Sequence, residues 1–66
     1  MKIIVNGDEI LLPEGSNIQD LIVQLGFINK RIAIEINDAI IPKSEHQSHF
    51  LESLDRVEVI NAVGGG

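Results

Sequence analysis

"MKIIVNGDEILLP" (residues 1–13) and "NIQDLIVQLG" (residues 17–26) decide how this chain folds. In the first stretch Met1, Ile3 and Val5 alternate with Lys2 and Ile4, the period-two signature of a strand with one apolar face. Asn6-Gly7-Asp8 follows, and Asn-Gly is the strongest short hairpin signal because both central residues of a type I′ turn need positive φ. A second strand through "EILLP" stops at Pro13. In the second stretch the period changes. Ile18, Leu21, Ile22 and Leu25 fall at i, i+3, i+4 and i+7, the stripe of an amphipathic helix. Asn17 caps it with Asp20 three residues on, Ser16 and Gln19 offer a competing capping register, and Gly26 stands where a helix closes.

Period two returns in "RIAIEIN", which sets Ile32, Ile34 and Ile36 against Ala33, Glu35 and Asn37. Asn37-Asp38 turns the chain into "AIIP", a short strand ended by Pro42. "KSEHQSHFLESLD" reads as a loop with one turn of helix, anchored by Phe50, Leu51 or Leu54. The last strand is "RVEVINAV", with Val57 and Val59 on one face and Glu58, Ile60 and Ala62 on the other.

The order strand, strand, helix, strand, short strand, strand has an economical solution. A hairpin cannot bury its apolar face alone, and the helix has one stripe to give. The helix therefore packs across one face of a mixed four- to five-stranded sheet. The densest aliphatic runs lie in the first and last strands, which belong side by side in its middle. With a right-handed crossover this is an α+β, β-grasp (ubiquitin-like) fold. A ferredoxin-like sandwich needs a second full helix, which "KSEHQSHFLESL" is too poorly patterned to supply. We expect one domain over 1–63 and a flexible glycine tail over 64–66.

Sixty-six residues make a marginal core, since a chain of this size buries only about 60% of the surface exposed when unfolded. A 44% hydrophobic content with only 3% aromatic residues makes that core aliphatic. There is no cysteine, hence no disulfide, thiolate zinc site or internal thiol chemistry. Ten acids against five bases give a net charge of −5, and Lys2, Lys30, Arg31, Lys43 and Arg56 are scattered along the chain, so no basic stripe tracks nucleic acid. Neither a membrane span nor a signal-peptide core is evident, and we expect a cytoplasmic protein.

Gly64, Gly65 and Gly66 are half of the six glycines and end the chain directly after a strand. Without Cβ atoms they can thread a narrow channel in a partner and present a carboxylate deep inside it. A carboxylate is a poor electrophile, but its acyl-adenylate has a good leaving group. The chain has no G-x-x-x-x-G-K-[ST] loop or basic cluster of its own for ATP, so activation falls to another protein. It then acts as a carrier and not as an enzyme.

Taken together, "MKIIVNG", "NIQDLIVQLG", "IAIEINDAIIPK" and "DRVEVINAVGGG" resemble, in order and over essentially the whole length, the ThiS family of sulfur carriers of thiamine (thiazole) biosynthesis. The resemblance implies a mechanism. A ThiF-type, E1-like enzyme uses ATP and magnesium to adenylate the carboxylate of Gly66. Sulfur from a cysteine persulfide displaces AMP to leave a thiocarboxylate, and thiazole synthase receives the sulfur. No cofactor is bound by the chain itself. Rival readings are a carrier like the small subunit of molybdopterin synthase, a ubiquitin-related protein modifier, and a binding module with an inert tail.

Two departures from the family pattern stand out. His46 lies near a position often held by an aromatic residue. Ser53-Leu54-Asp55 replaces a common Asp-Gly-Asp turn, and loss of that glycine is expected to change the turn type. His46 and His49, with Glu45 and Glu52, can be drawn as a metal site, but two solvated loop histidines are the simpler reading. Ile4 and Ile60 are expected exposed on the face away from the helix, as a docking patch extended by Leu12 or Val63.

Overall fold

The structure, a computed structural model, describes residues 1–61. Five strands form one mixed sheet: β1 (Lys2–Val5), β2 (Asp8–Leu11), β3 (Ile32–Ile36), β4 (Ala39–Ile41) and β5 (Arg56–Asn61), in the spatial order β2-β1-β5-β3-β4. One helix, α1 (Ile18–Leu25), connects β2 to β3, and a 3-10 turn spans Lys43–Glu45. The β1–β5 pair is parallel and every other pair antiparallel. This is the expected β-grasp, with the first and last strands adjacent.

Local chemistry accounts for each corner. Asn6 and Gly7 take φ of 49° and 88°, the two positive values that a type I′ turn requires, and the next hairpin repeats the device with Asn37 at 50° and Asp38 at 73°. At the start of α1 the Asn17 side chain accepts from the Asp20 N–H at 2.8 Å, while the Asp20 carboxylate accepts from the Asn17 N–H at 3.0 Å. The capping register is thus Asn17–Asp20. Ser16 is buried instead, its hydroxyl donating to the Pro13 carbonyl at 2.7 Å. Gly26 closes the helix, its N–H directed at the carbonyls of Ile22 and Val23.

Ile18, Leu21 and Ile22 of α1 cover Ile3, Val5, Ile34, Ile36 and Val57 of the sheet, joined by Leu12 and Leu51. Of the three anchors expected in the loop before β5 only Leu51 is buried; Phe50 and Leu54 are exposed. Leu54 stands at an unusual corner. It takes φ 69°, the left-handed conformation of a glycine, and its N–H donates to the Lys2 carbonyl at 2.7 Å. The backbone at this corner therefore holds a left-handed residue that is not glycine, and the leucine absorbs the strain.

Behind that turn Asp55 is buried and fully engaged. Its carboxylate accepts from the Asn37 side-chain amide at 3.0 Å and from the Glu52 N–H at 2.8 Å, and Asn37 Oδ1 accepts from the Arg56 N–H at 3.0 Å. These bonds tie the β3–β4 turn to the start of β5 and fix where the last strand begins.

Candidate functional site

The site of interest is β5 as far as Asn61, the last residue the structure describes. Over its length β5 pairs with β3, from Ile36 opposite Val57 to Ile32 opposite Asn61. On its other side β1 supplies only Ile4 opposite Arg56 and Val5 opposite Val57. Asn6 extends that edge. Its own N–H donates to the Val57 carbonyl at 2.9 Å, its side-chain oxygen accepts from the Val59 N–H at 2.9 Å, and its side-chain amide donates to the Val59 carbonyl at 3.4 Å. A turn residue thus imitates a strand residue and holds the middle of β5. Beyond Val59, pairing among the described residues is to β3 alone. Val63, Gly64, Gly65 and Gly66, named above for docking and chemistry, lie outside the described residues.

The face of the sheet turned away from α1 carries the other predicted residues. Ile60 is 43% exposed there and stands opposite Ala33. Ile4 shares the face but is only half-buried, and it is level with Arg56, four residues before Ile60 along β5. The two isoleucines therefore do not make one patch. Leu12 is buried in the core and cannot extend it. Beside Ile60 on this face stands Ala33; Ile40, 73% exposed on the edge strand, shares the face but lies two strands away, opposite Glu35.

Glu35 also stands directly opposite Glu58, so two carboxylates face each other across neighbouring strands at the centre of this face. Like charges in that relation are destabilising. The strand cations of this face are otherwise engaged: Lys2 pairs with Glu9 at 3.6 Å and Arg56 with Asp38 at 3.3 Å. The acidic pair and Ile40 escape a reading of one strand at a time, because only the register between strands brings them together.

The histidines divide. His46 is buried, not solvated, with Nε2 3.3 Å from the Ile41 carbonyl, whereas His49 is half-buried. Among the described residues no group of three metal-ligating side chains assembles. The cations are less scattered in space than along the chain, since Lys30, Arg31 and Lys43 all line one groove. No described helix is long and apolar enough to cross a membrane.

Comparison with solved structures places this architecture. The thiamine biosynthesis protein ThiS of Geobacter metallireducens superposes over all of both chains with a TM-score of 0.85 at 23% identity. The molecule is a β-grasp domain of the ubiquitin-like class, with one helix on a five-stranded mixed sheet. The ThiS family model matches residues 2–66, and the chain belongs to that family of small, non-catalytic sulfur carriers of thiamine biosynthesis. A protein of Porphyra purpurea known as ycf40 is 38% identical over the full chain, which spans 93% of that relative. Thiazole synthase of Magnetococcus marinus is 32% identical over 66 residues, and there the match occupies only 20% of the longer protein.

Proposed function

We propose that Gly66 is the working end of this carrier. A ThiF-type, E1-like enzyme, using ATP and magnesium, lets the terminal carboxylate attack the α-phosphorus and release pyrophosphate. The terminal sulfur of a cysteine persulfide then displaces AMP from the acyl carbon. A thiol attacks the cysteine sulfur of the resulting acyl disulfide, so that the thiocarboxylate leaves and the two thiol sulfurs remain as a disulfide. Thiazole synthase is the acceptor of that sulfur.

One observation carries the reading: the tail follows β5, the central strand, which is held by β3 to Asn61 and by the Asn6 side chain at Val59. A firm root and a side-chain-free end suit delivery of a carboxylate into a partner's active site. The presence of a ThiS-like stretch inside a longer thiazole synthase supports thiazole over molybdopterin delivery, since joining two modules raises the effective concentration of one for the other. The exposed Ile60, with Ala33 beside it and Ile40 on the edge strand, is the surface we assign to partner docking, and Ile4, level with Arg56 four residues away along β5, is not part of it.

The test is mass spectrometry of the intact chain and its C-terminal fragment after incubation with a ThiF-type enzyme, ATP and a persulfide source, beside a control without ATP. Replacing oxygen by sulfur adds nearly the mass of oxidising Met1, so the fragment must carry the change at Gly66. We expect an ATP-dependent shift there. Its absence with a demonstrably active enzyme overturns the reading in favour of an inert tail. Ile60→Glu should lower the rate of that modification while leaving the fold intact; unfolding of this variant would contradict the exposed position of Ile60.

A further inference from the structure

On the helix side of the sheet, opposite the Ile60 face, lies an open groove of about 630 Å³ between Gln19 and Ile22 of α1, the 27–31 loop and the 3-10 turn. Its floor is apolar, with Ile22 buried and Phe27 half-buried. Its rim is cationic, with Lys30, Arg31 and Lys43 exposed around it. The charge distribution is lopsided. Three of the five lysines and arginines border this groove, while the rest of the chain, with two cations against ten acids, carries −8. None of the three forms an ion pair among the described residues, whereas Lys2 and Arg56 both do. Buried His46 adds a polar wall.

The groove also adjoins Asn61, the last described residue of the chain. Ile32 lines it and pairs with Asn61, the last residue of β5, and Arg31 immediately precedes Ile32. Asn61 shares the sheet face of Ile32, and Ile60 points to the other. A protein that receives the tail therefore meets Ile60 on one side of the strand and this groove on the other.

We propose that the groove binds an acidic segment of the tail-receiving partner, its carboxylates meeting Lys30, Arg31 and Lys43 and its apolar side chains lying on Ile22 and Phe27. Charge complementarity carries the choice of occupant. On a molecule of net −5, most of whose surface repels an acidic peptide, this rim is the place that attracts one. The identity of the partner rests on the carrier reading above; the chemistry of the groove does not.

The experiment has two arms. First, the full-length ¹⁵N-labelled chain is titrated at low salt with acetyl-Glu-Leu-Asp-Phe-Glu-Leu-Asp-amide, and with a control in which Gln and Asn replace the acids. The acidic peptide should shift the amides of residues 27–32 and 43–46. The control should not, and Lys30→Glu/Arg31→Glu/Lys43→Glu should abolish the shifts. Silence in these amides, or equal shifts from the neutral peptide, overturns the proposal. Second, the association of a ThiF-type enzyme is measured against salt for wild type and the triple variant. The amide spectrum of that variant reports its fold, and all three residues are exposed.

Charge reversal should weaken association roughly tenfold or more and flatten its salt dependence. Unchanged affinity and salt dependence, with the wild type modified at Gly66, overturn the groove and leave the carrier standing. Shifts from the acidic peptide, with no modification of the wild type, support the groove and overturn the carrier.

Discussion

The two faces of one sheet obey the same alternation and meet opposite fates. On the inner face Ile3, Val5, Ile34, Ile36 and Val57 are buried beneath α1. On the outer face the same strands present Ile4, Glu35, Glu58 and Ile60, with Ile40 beside them, where no element of the described chain covers them. Burial makes the inner side chains contribute to stability in proportion to area removed from water. The outer side chains gain little from folding, and the Glu35–Glu58 pairing opposes it. Folding of the domain itself gives no reason for this arrangement, which is the surface proposed above for partner docking.

The sharpest way to break that contrast is to cut the same residue type on each face. Ile34→Ala removes a side chain with no exposed surface and should cost about 2–5 kcal/mol. Ile60→Ala should change stability by no more than about 0.5 kcal/mol. Urea unfolding followed by far-ultraviolet circular dichroism measures both. Comparable losses would mean that the outer face is core after all.

A second test concerns the seam between β1 and β5. Asn6→Ala forfeits both bonds to Val59 and places alanine at φ 49°. We expect a loss of about 1–2 kcal/mol from these two sources. Amide hydrogen exchange should quicken at the Val59 N–H more than at Val57, whose N–H does not depend on the Asn6 side chain. Uniform quickening along β5 would remove Asn6 from its role as the strand's extension.

At the corner that launches β5, Leu54→Gly should act in the other direction. The leucine is exposed and left-handed, so its replacement loses little packing and relieves backbone strain. Allowing for the greater freedom of glycine in the unfolded chain, a net gain of about 0.5–1 kcal/mol is expected in the same urea titration. A loss would show that the leucine side chain contributes packing despite its exposure.

These residues also mark how far a reading of the sequence reaches. The Asn6-Gly7 turn, the stripe of α1 with its closing Gly26 and the central β1–β5 pair were all legible, because each rests on chemistry within a few residues or on the densest aliphatic runs. The Asn17–Asp20 cap could not be separated from its Ser16–Gln19 rival until Ser16 turned inward to Pro13. Leu12 and Leu54 went the wrong way for different reasons: Leu12 keeps the inward phase of Ile10 just past the strand's end, with Leu11 facing out between them, whereas Leu54 sits in a turn, where alternation no longer says which side a residue faces. Ile4 and Ile60 were assigned to the correct face but not to the correct level, since a parallel pair joined through most of the chain leaves its register open to the sequence. Buried His46 and the groove cations depend on loops folding back on α1, for which no periodic signal exists.

The smallest expected effect is the most telling about the outer face. Glu58→Gln keeps the size of the side chain, exchanges one acceptor oxygen for an amide donor and removes one of two opposed charges. The isolated domain should gain about 0.2–1 kcal/mol, and the gain should shrink as salt screens the pair. If Glu35 and Glu58 serve a partner that brings a cation to that face, the same substitution should weaken association with the adenylating enzyme even as it stabilises the carrier. Stability and binding would then move in opposite directions, which the inner face never permits: loosening Ile34 can only harm both. A Glu58→Gln carrier that is more stable and binds as well as wild type would reduce the pair to uncompensated repulsion, leaving Ile60, Ala33 and Ile40 to carry recognition on this face alone.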